Sequence, residues 1–414
     1  MDSKRVFQAR VNPVYTTGKG TAGCLAQAGN RDAAAIVGRM DLSELSGQGN
    51  QVPEIIKRCY AVALEARYEI SNEMIRREGK PYVIDLPCGY TPRAFSVAGD
   101  GKHYIGFDLP VVADEIGTIV GELLPPELSP LVAYHGVDAT NYDSMRGALE
   151  HVEGEVCIAT DGLLGYFNES ELSSMCANVA RILQEFGGSW ITGDMTNEVI
   201  FGATFGTLLR SNPEALQAFS MNTASRMADV AMKQNSLFTG GTQKAAEYLE
   251  GMGFRVEKVS YADLMPSLIS LSNEPEEEKA LREAYRGIEM WRMTLSPDAE
   301  VAKEEVETEN FSAELSLAEG KLSIALSGRL DSITSPELLE KCEHISKGKT
   351  VSSIYIDARK LRYVSSAGLR VLLMLFKTLK DEDSFRMENV SAAVREIFIV
   401  TGFDQFLLGE TPKE

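Results

Sequence analysis

Four apolar runs in this chain end on or beside an aspartate, and that recurrence does most to limit the fold. YVIDLP (82–87), HYIGFDLP (103–110), LVAYHGVDA (131–139), EVCIATDG (155–162) and GSWITGDM (188–195) read as strands. Segments with helical spacing separate them. In ESELSSMCANVARILQEF (169–186), Leu172, Met175, Cys176, Val179, Ile182 and Leu183 share one face. Before the first strand, residues 52–79 read as one or two helices ended by Gly79, and residues 241–261 read as helix, glycine turn and strand. Such alternation predicts an α/β unit with a parallel sheet covered on both faces.

The aspartates are Asp85, Asp108, Asp138 and Asp161, with separations of 23, 30 and 23 residues that fit successive βα units. Open parallel sheets bind ligands outside the carboxyl ends of their strands. One such aspartate is commonly a turn or cap residue; four in consecutive strands point to a ligand cleft. The first loop, DLPCGYTPRA, has one glycine, a proline where a phosphate would need a free amide, and the bulky Tyr90, so it suits a pyrophosphate poorly. It suits a ligand with less need of amide donors, one joining an amino acid, a sulfonium and an adenosine as S-adenosylmethionine does. Asp108 is then placed to accept both ribose hydroxyls.

Composition removes other classes. A formal charge of −19 works against a broad phosphate-binding surface, so nucleic acid is not expected as a partner. No run is long and apolar enough for a membrane span, the first residues lack a secretion signal's apolar core, and the expected location is cytoplasmic. Six scattered cysteines and four histidines suggest neither a disulfide framework nor a metal site. Cys157, in VCIA, reads as a core thiol; Cys88, in the first loop, reads either as a small residue packed under a ligand or as a reactive thiol.

The stretch SPDAEVAKEEVETEN (296–310) is acidic, has no aromatic residue and reads as an exposed linker. It separates a first domain, 1–295, from a second, 311–414.

The blocks VIDLPCGYTPRA, YIGFDLP and IATDGLLGYF together resemble the class I S-adenosylmethionine-dependent methyltransferases of the leucine carboxyl methyltransferase type, over roughly residues 10–295. The resemblance implies a Rossmann-like domain with a mostly parallel seven-stranded sheet. It implies that Gly89 and its neighbours meet the methionine part of the cofactor, that Asp85 and Pro87 belong to the cofactor site, and that Arg67 pairs with the cofactor carboxylate. Asp108 with Leu109 would hold the ribose, Asp138 with Ala139 would flank the adenine, and Asp161 with Gly162 would complete the site. Pro87 stands where the family usually has its first glycine, and Asp161 where it has glutamate. The acceptor would be a carboxyl or hydroxyl group on a small molecule or protein. No catalytic base is assigned, since a carboxylate acceptor needs no deprotonation near neutral pH; Tyr166, Asp194 and Arg93 lie near the expected cleft and read as structural. Residues 201–241, rich in Phe, Met and small polar residues, read equally as a pocket wall or as a plain helical insertion.

Residues 311–410 resemble the sulphate transporter and anti-sigma factor antagonist (STAS) domain, on IDARKLRYVSSAGLRVLL and GRLDS. This small α/β domain is expected to form a hairpin around Gly320, a helix capped by Ser335 with Pro336 at its first position, a buried strand, and a helix after VSS. The resemblance implies a protein partner or kinase and places Ser366 on the family's phosphorylated serine, with Ser365 on the preceding aspartate. A Ser-Ser pair that merely caps the helix is the other reading. The combined expectation is an O-methyltransferase joined to a regulatory STAS domain; the alternatives are a non-catalytic binder of S-adenosylmethionine or its product that acts in signalling as an anti-sigma factor antagonist-like module, and a purely structural interaction scaffold.

Overall fold

The computed structural model describes residues 17–42, 52–212, 214, 235–297, 311–379 and 384–408. They fall into two compact units, one within residues 16–303 and one that includes residues 304–414.

Seven strands form the sheet of the first unit: β1 Tyr82–Asp85, β2 His103–Asp108, β3 Val132–Gly136, β4 Val156–Thr160, β5 Gly188–Thr192, β6 Phe254–Ser260 and β7 Glu289–Leu295. Their order is β3-β2-β1-β4-β5-β7-β6. Neighbours from β3 to β5 pair in parallel, and β7 runs antiparallel to both β5 and β6. This is a mostly parallel sheet. The five strands expected in residues 82–195 all form and are shorter at their carboxyl ends than expected: β1 and β2 end on Asp85 and Asp108, and β3, β4 and β5 end just before Asp138, Asp161 and Asp194. The reversed strand β7 was not anticipated. Its buried Met290, Trp291 and Met293 fill the gap between β5 and β6, and no local pattern reveals that insertion.

Residues 52–79 give a single helix, Glu54–Glu78, ended by Gly79 at φ 62 with its N–H on the carbonyls of Ile75 and Arg76. Helix Glu169–Phe186 starts in a capping box between Asn168 and Glu171 and buries the predicted face against β4 and β5. Burial of each such Leu or Val side chain contributes about 1.5–3 kcal/mol. From β1 the chain proceeds outward to β2 and β3, then returns across to β4. The sheet therefore switches direction between β1 and β4, and the crevice beyond their carboxyl ends is where an open sheet of this kind accepts a ligand.

The second unit has β8 Ser312–Ala318, β9 Lys321–Leu330, β10 Ser353–Val364 and β11 Phe385–Glu388, in the order β11-β10-β9-β8. Strands β9, β10 and β11 are parallel; β8 closes a hairpin with β9 through Glu319 (φ 51) and Gly320 (φ 79), the two left-handed residues a tight hairpin needs. Helices Thr334–Ser346, Ser366–Phe376 and Ala392–Thr401 pack on the sheet around Leu330, Ile356, Val371 and Phe398. One local expectation is corrected here. Ser335 and Pro336 do not begin the first of these helices; Asp331 does, its Oδ1 accepting the N–H groups of Ile333 and Thr334, while Ser335 donates back to the Asp331 carbonyl. An acidic side chain placed before the turn outcompetes the serine.

Most of the expected linker, residues 298–310, lies outside the described residues, as do residue 213 and residues 215–234 of the expected pocket wall. Among the described residues, no helix is long and apolar enough to cross a membrane.

Candidate functional site

At the switch point the polar residues are built around one buried cation. Arg93 opens the short helix Arg93–Gly99 after the first loop and is 2% exposed. Its Nη1 donates to Asp85 at the tip of β1, its Nη2 to Asp161 Oδ2 beyond the tip of β4 (3.0 Å), and its Nε to Asn72 Oδ1 (3.0 Å) on helix Glu54–Glu78. The Tyr68 ring lies 5.5 Å below the guanidinium, and Tyr104 Oη donates to the other Asp85 oxygen at 2.9 Å. Burial alone lowers the Arg93 pKa, but Asp85 and Asp161 outweigh it and the net shift is upward, so the cation persists. Asp85, fully buried with both oxygens engaged, serves to fix Arg93.

Above this pair lies a less satisfied layer. Arg67, from the same long helix, donates from Nη1 to Asn197 Oδ1 (2.7 Å), and its Nε stands 3.6 Å from Asp161 Oδ1. Asp161 Oδ1 is buried and has no hydrogen-bond partner among the described residues. Gly162 follows at φ 77, a left-handed turn that favours glycine, and a Cβ there would sit 2.9 Å from Arg67 Nη2 and push on the arginine's tip. Asp194, after β5, holds this turn from beneath by accepting the N–H groups of Gly162, Leu163 and Leu164. Tyr166 ends the 3-10 turn that follows and is half-buried.

The first loop descends beside β2. Gly89, at φ 51, donates its N–H to Asp108 Oδ2 (2.8 Å), and Leu109 N–H donates to Oδ1 (2.7 Å). Each carboxylate oxygen has a further acceptor site, so two hydroxyl donors can still be accommodated. Burial pushes the half-buried Asp108 carboxyl up to about 6 against the pull of these two amides. Pro87 follows a cis bond, and Cys88 beneath it is 1% exposed, its thiol pushed well up by burial; this is a packing residue and not a reactive thiol. Cys157 is a core residue of β4.

Asp138 stands apart from this cluster. It is buried, and its Oδ1 accepts both the N–H (2.8 Å) and the hydroxyl (2.6 Å) of Thr140, so the side chain shapes its own turn. The next residue, Ala139, is fixed through its carbonyl by Asn178 Nδ2 (2.9 Å). A cavity of about 390 Å³ opens elsewhere, between helix Pro110–Leu123 and β3, lined by Gly117, Gly121 and Tyr134 and by none of the site residues. Sequence reasoning gave Arg93 and Asp194 structural roles without seeing their centrality, and it missed Asn72, Tyr68 and Asn197. The signal available for the first two was polar side chains one turn apart on the buried face of a helix.

In the second unit Ser365 is the N-cap of helix Ser366–Phe376; it is 1% exposed and accepts the Gly368 N–H at 3.3 Å. Ser366, the first helical residue, is half-buried. Gly368 is forced, since a Cβ would meet the Leu330 carbonyl at 2.5 Å.

Residues 313–409 match a family model described as Mlab, STAS domain. Over 87 residues the chain is 32% identical to the anti-sigma factor antagonist BtrV of Bordetella bronchiseptica, spanning 20% of this chain and 73% of that one. A crystal structure of an anti-sigma factor antagonist from Mycobacterium paratuberculosis is 21% identical, covering 24% of this chain and 83% of that chain with a TM-score of 0.22. The magnesium protoporphyrin IX methyltransferase of Synechocystis PCC 6803, solved with bound SAH, is 10% identical over 60% of this chain and 90% of that chain, with a TM-score of 0.34. TM-scores this low carry no argument about function.

Proposed function

Because the chain belongs to the STAS family through residues 313–409, we propose that it joins an S-adenosylmethionine-dependent O-methyltransferase to a protein-docking module. One observation carries the enzymatic half. At the switch point a buried carboxylate oxygen, Asp161 Oδ1, lacks a hydrogen-bond partner beside a guanidinium, Arg67, that makes one hydrogen bond among the described residues. Leaving a buried acceptor unmet is costly. A carboxylate oxygen that makes no hydrogen bond, loosely paired at 3.6 Å with an arginine that makes one among the described residues, forms a pair that the ammonium and carboxylate of an amino-acid group would each enter, and S-adenosylmethionine carries that group at its sulfonium end.

Arg67 would take the carboxylate of that group and Asp161 its ammonium, with Gly162 leaving room between them. Asp108 would accept the ribose hydroxyls while it holds Gly89 and Leu109 in place. Ala139, on the turn shaped by Asp138, would lie along the adenine. Asp85 and Pro87 shape the loop from below. When bound, the cofactor supplies an electrophilic methyl group on sulfur. The chain's own contribution is to hold donor and acceptor in line and to keep water from the buried side of the loop, where Cys88 and Tyr90 are at most 1% exposed. A carboxylate acceptor is already ionised near neutral pH and needs no base; an alcohol or phenol would.

The STAS half would dock a protein partner and take phosphate on Ser366. A phosphoryl group there would meet the positive end of the helix, yet add charge that reshapes the docking face.

Transfer of a labelled methyl group from S-adenosylmethionine to a panel of carboxylates, phenols and alcohols tests the reading. Turnover of any panel member supports it. Binding of the cofactor without turnover across the panel favours a sensor of S-adenosylmethionine or its product.

A further inference from the structure

The first helix of the described chain holds a lysine where a lysine is rarely found. Lys19, in the first turn of helix Thr17–Gln27, is 1% exposed. Its Nζ donates to the Asp41 carbonyl at 2.7 Å, lies 3.4 Å from Glu115 Oε2, and stands 5.5 Å from the centre of the Tyr90 ring. Tyr90, itself fully buried, donates its hydroxyl to the same Glu115 oxygen at 2.6 Å. The neighbouring Gly18 packs on the first loop so closely that a Cβ would meet Tyr90 Cδ2 at 3.3 Å and Gly89 Cα at 3.4 Å.

A buried ammonium is costly unless it is paired and hydrogen-bonded. Here its partners come from three separate parts of the fold: the segment closing at Asp41, helix Pro110–Leu123 through Glu115, and the first loop through Tyr90. We propose that Lys19 is a positioning residue for the ligand loop: through Glu115 and Tyr90 it fixes Gly89, and it pins helix Thr17–Gln27 against that loop. It acts by holding Tyr90, so that Gly89 keeps its left-handed turn and its N–H stays on Asp108. The consequence for cofactor binding rests on the methyl-donor reading above; the consequence for loop order does not.

Amide hydrogen exchange of the full chain without ligand tests loop order. Lys19→Met is expected to raise exchange at Cys88 and Gly89 by about tenfold or more while amides of β5 and β10 stay at wild-type rates. Tyr90→Phe, which removes only the hydroxyl, is expected to act in the same direction and decides the matter if Lys19→Met does not fold. The doubly substituted chain is expected to show less than the sum of the two effects, because both break one linkage. Titration with S-adenosylhomocysteine is expected to show affinity weakened by about tenfold in Lys19→Met. Wild-type exchange at Cys88 and Gly89 in both variants would overturn the proposal. Absence of any binding to the unsubstituted chain would count against the methyl-donor reading, and the exchange data would still decide the role of Lys19.

Discussion

Arg93 Nη2 and Asp161 Oδ2 lie 3.0 Å apart, and through this contact the tip of β4 is tied to the guanidinium that also pairs with Asp85 at the tip of β1. The two strands that flank the topological switch are thereby joined through one buried cation. The same contact engages one oxygen of Asp161 and leaves the other without a hydrogen bond among the described residues, 3.6 Å from Arg67 Nε.

Replacing Arg93 with Met leaves Asp85 buried without its cation. The expected loss is about 3–5 kcal/mol of unfolding free energy. Urea denaturation followed by tryptophan fluorescence measures it, because both tryptophans, Trp190 and Trp291, are buried in the first unit. A change below about 1 kcal/mol would show that the pair is dispensable.

Gly162→Ala forces a left-handed backbone on a residue with a Cβ and pushes that Cβ against Arg67. The strain costs about 1–2 kcal/mol. The displaced arginine should also weaken S-adenosylhomocysteine binding by about tenfold or more, measured by calorimetry. Unchanged affinity would separate Arg67 from the ligand.

Much of this arrangement was legible before the fold was known, and the reasons differ by residue. The strand tips at Asp85, Asp108 and Asp161 showed because β-strand patterning and turn chemistry are local. The helical character of residues 54–78 and its end at Gly79 showed, because capping glycine and apolar spacing are local, while the choice between one helix and two did not. Strand β7 did not, since nothing local in EMWRMTL says that it lies between β5 and β6. Nor did the return of Asp138 to its own turn, because a carboxylate facing a ligand and one capping a turn have the same sequence neighbourhood. The Arg93 network spans partners 8, 21 and 68 residues away, beyond the reach of any pattern.

Asp108 gives the site a pH dependence. A carboxyl held at about 6 when folded binds its proton more tightly than an unfolded aspartate near 3.9. Its contribution to stability therefore falls as pH rises from about 4 to about 6 and is level above that. On the proposed reading ligand binding has the opposite sign, because the ribose hydroxyls would donate to the ionised form. S-adenosylhomocysteine affinity should rise with pH up to about 6 and then plateau, and Asp108→Asn should abolish this dependence. A flat wild-type profile across the same range would remove Asp108 from the binding site.

The adjacent serines Ser365 and Ser366 of the STAS unit should separate. Ser365→Ala removes the N-cap of helix Ser366–Phe376 and should cost about 1 kcal/mol, measured by amide exchange of that helix. After incubation with a cognate kinase, mass spectrometry should find phosphate on Ser366 and none on the buried Ser365. Phosphate on Ser365 would contradict the assignment.

Calorimetric titration of the full chain with S-adenosylhomocysteine tests the central claim most directly. The account predicts one site per chain, with Arg67→Ala weakening it by about tenfold or more. No heat at millimolar ligand, for either S-adenosylhomocysteine or S-adenosylmethionine, would contradict it.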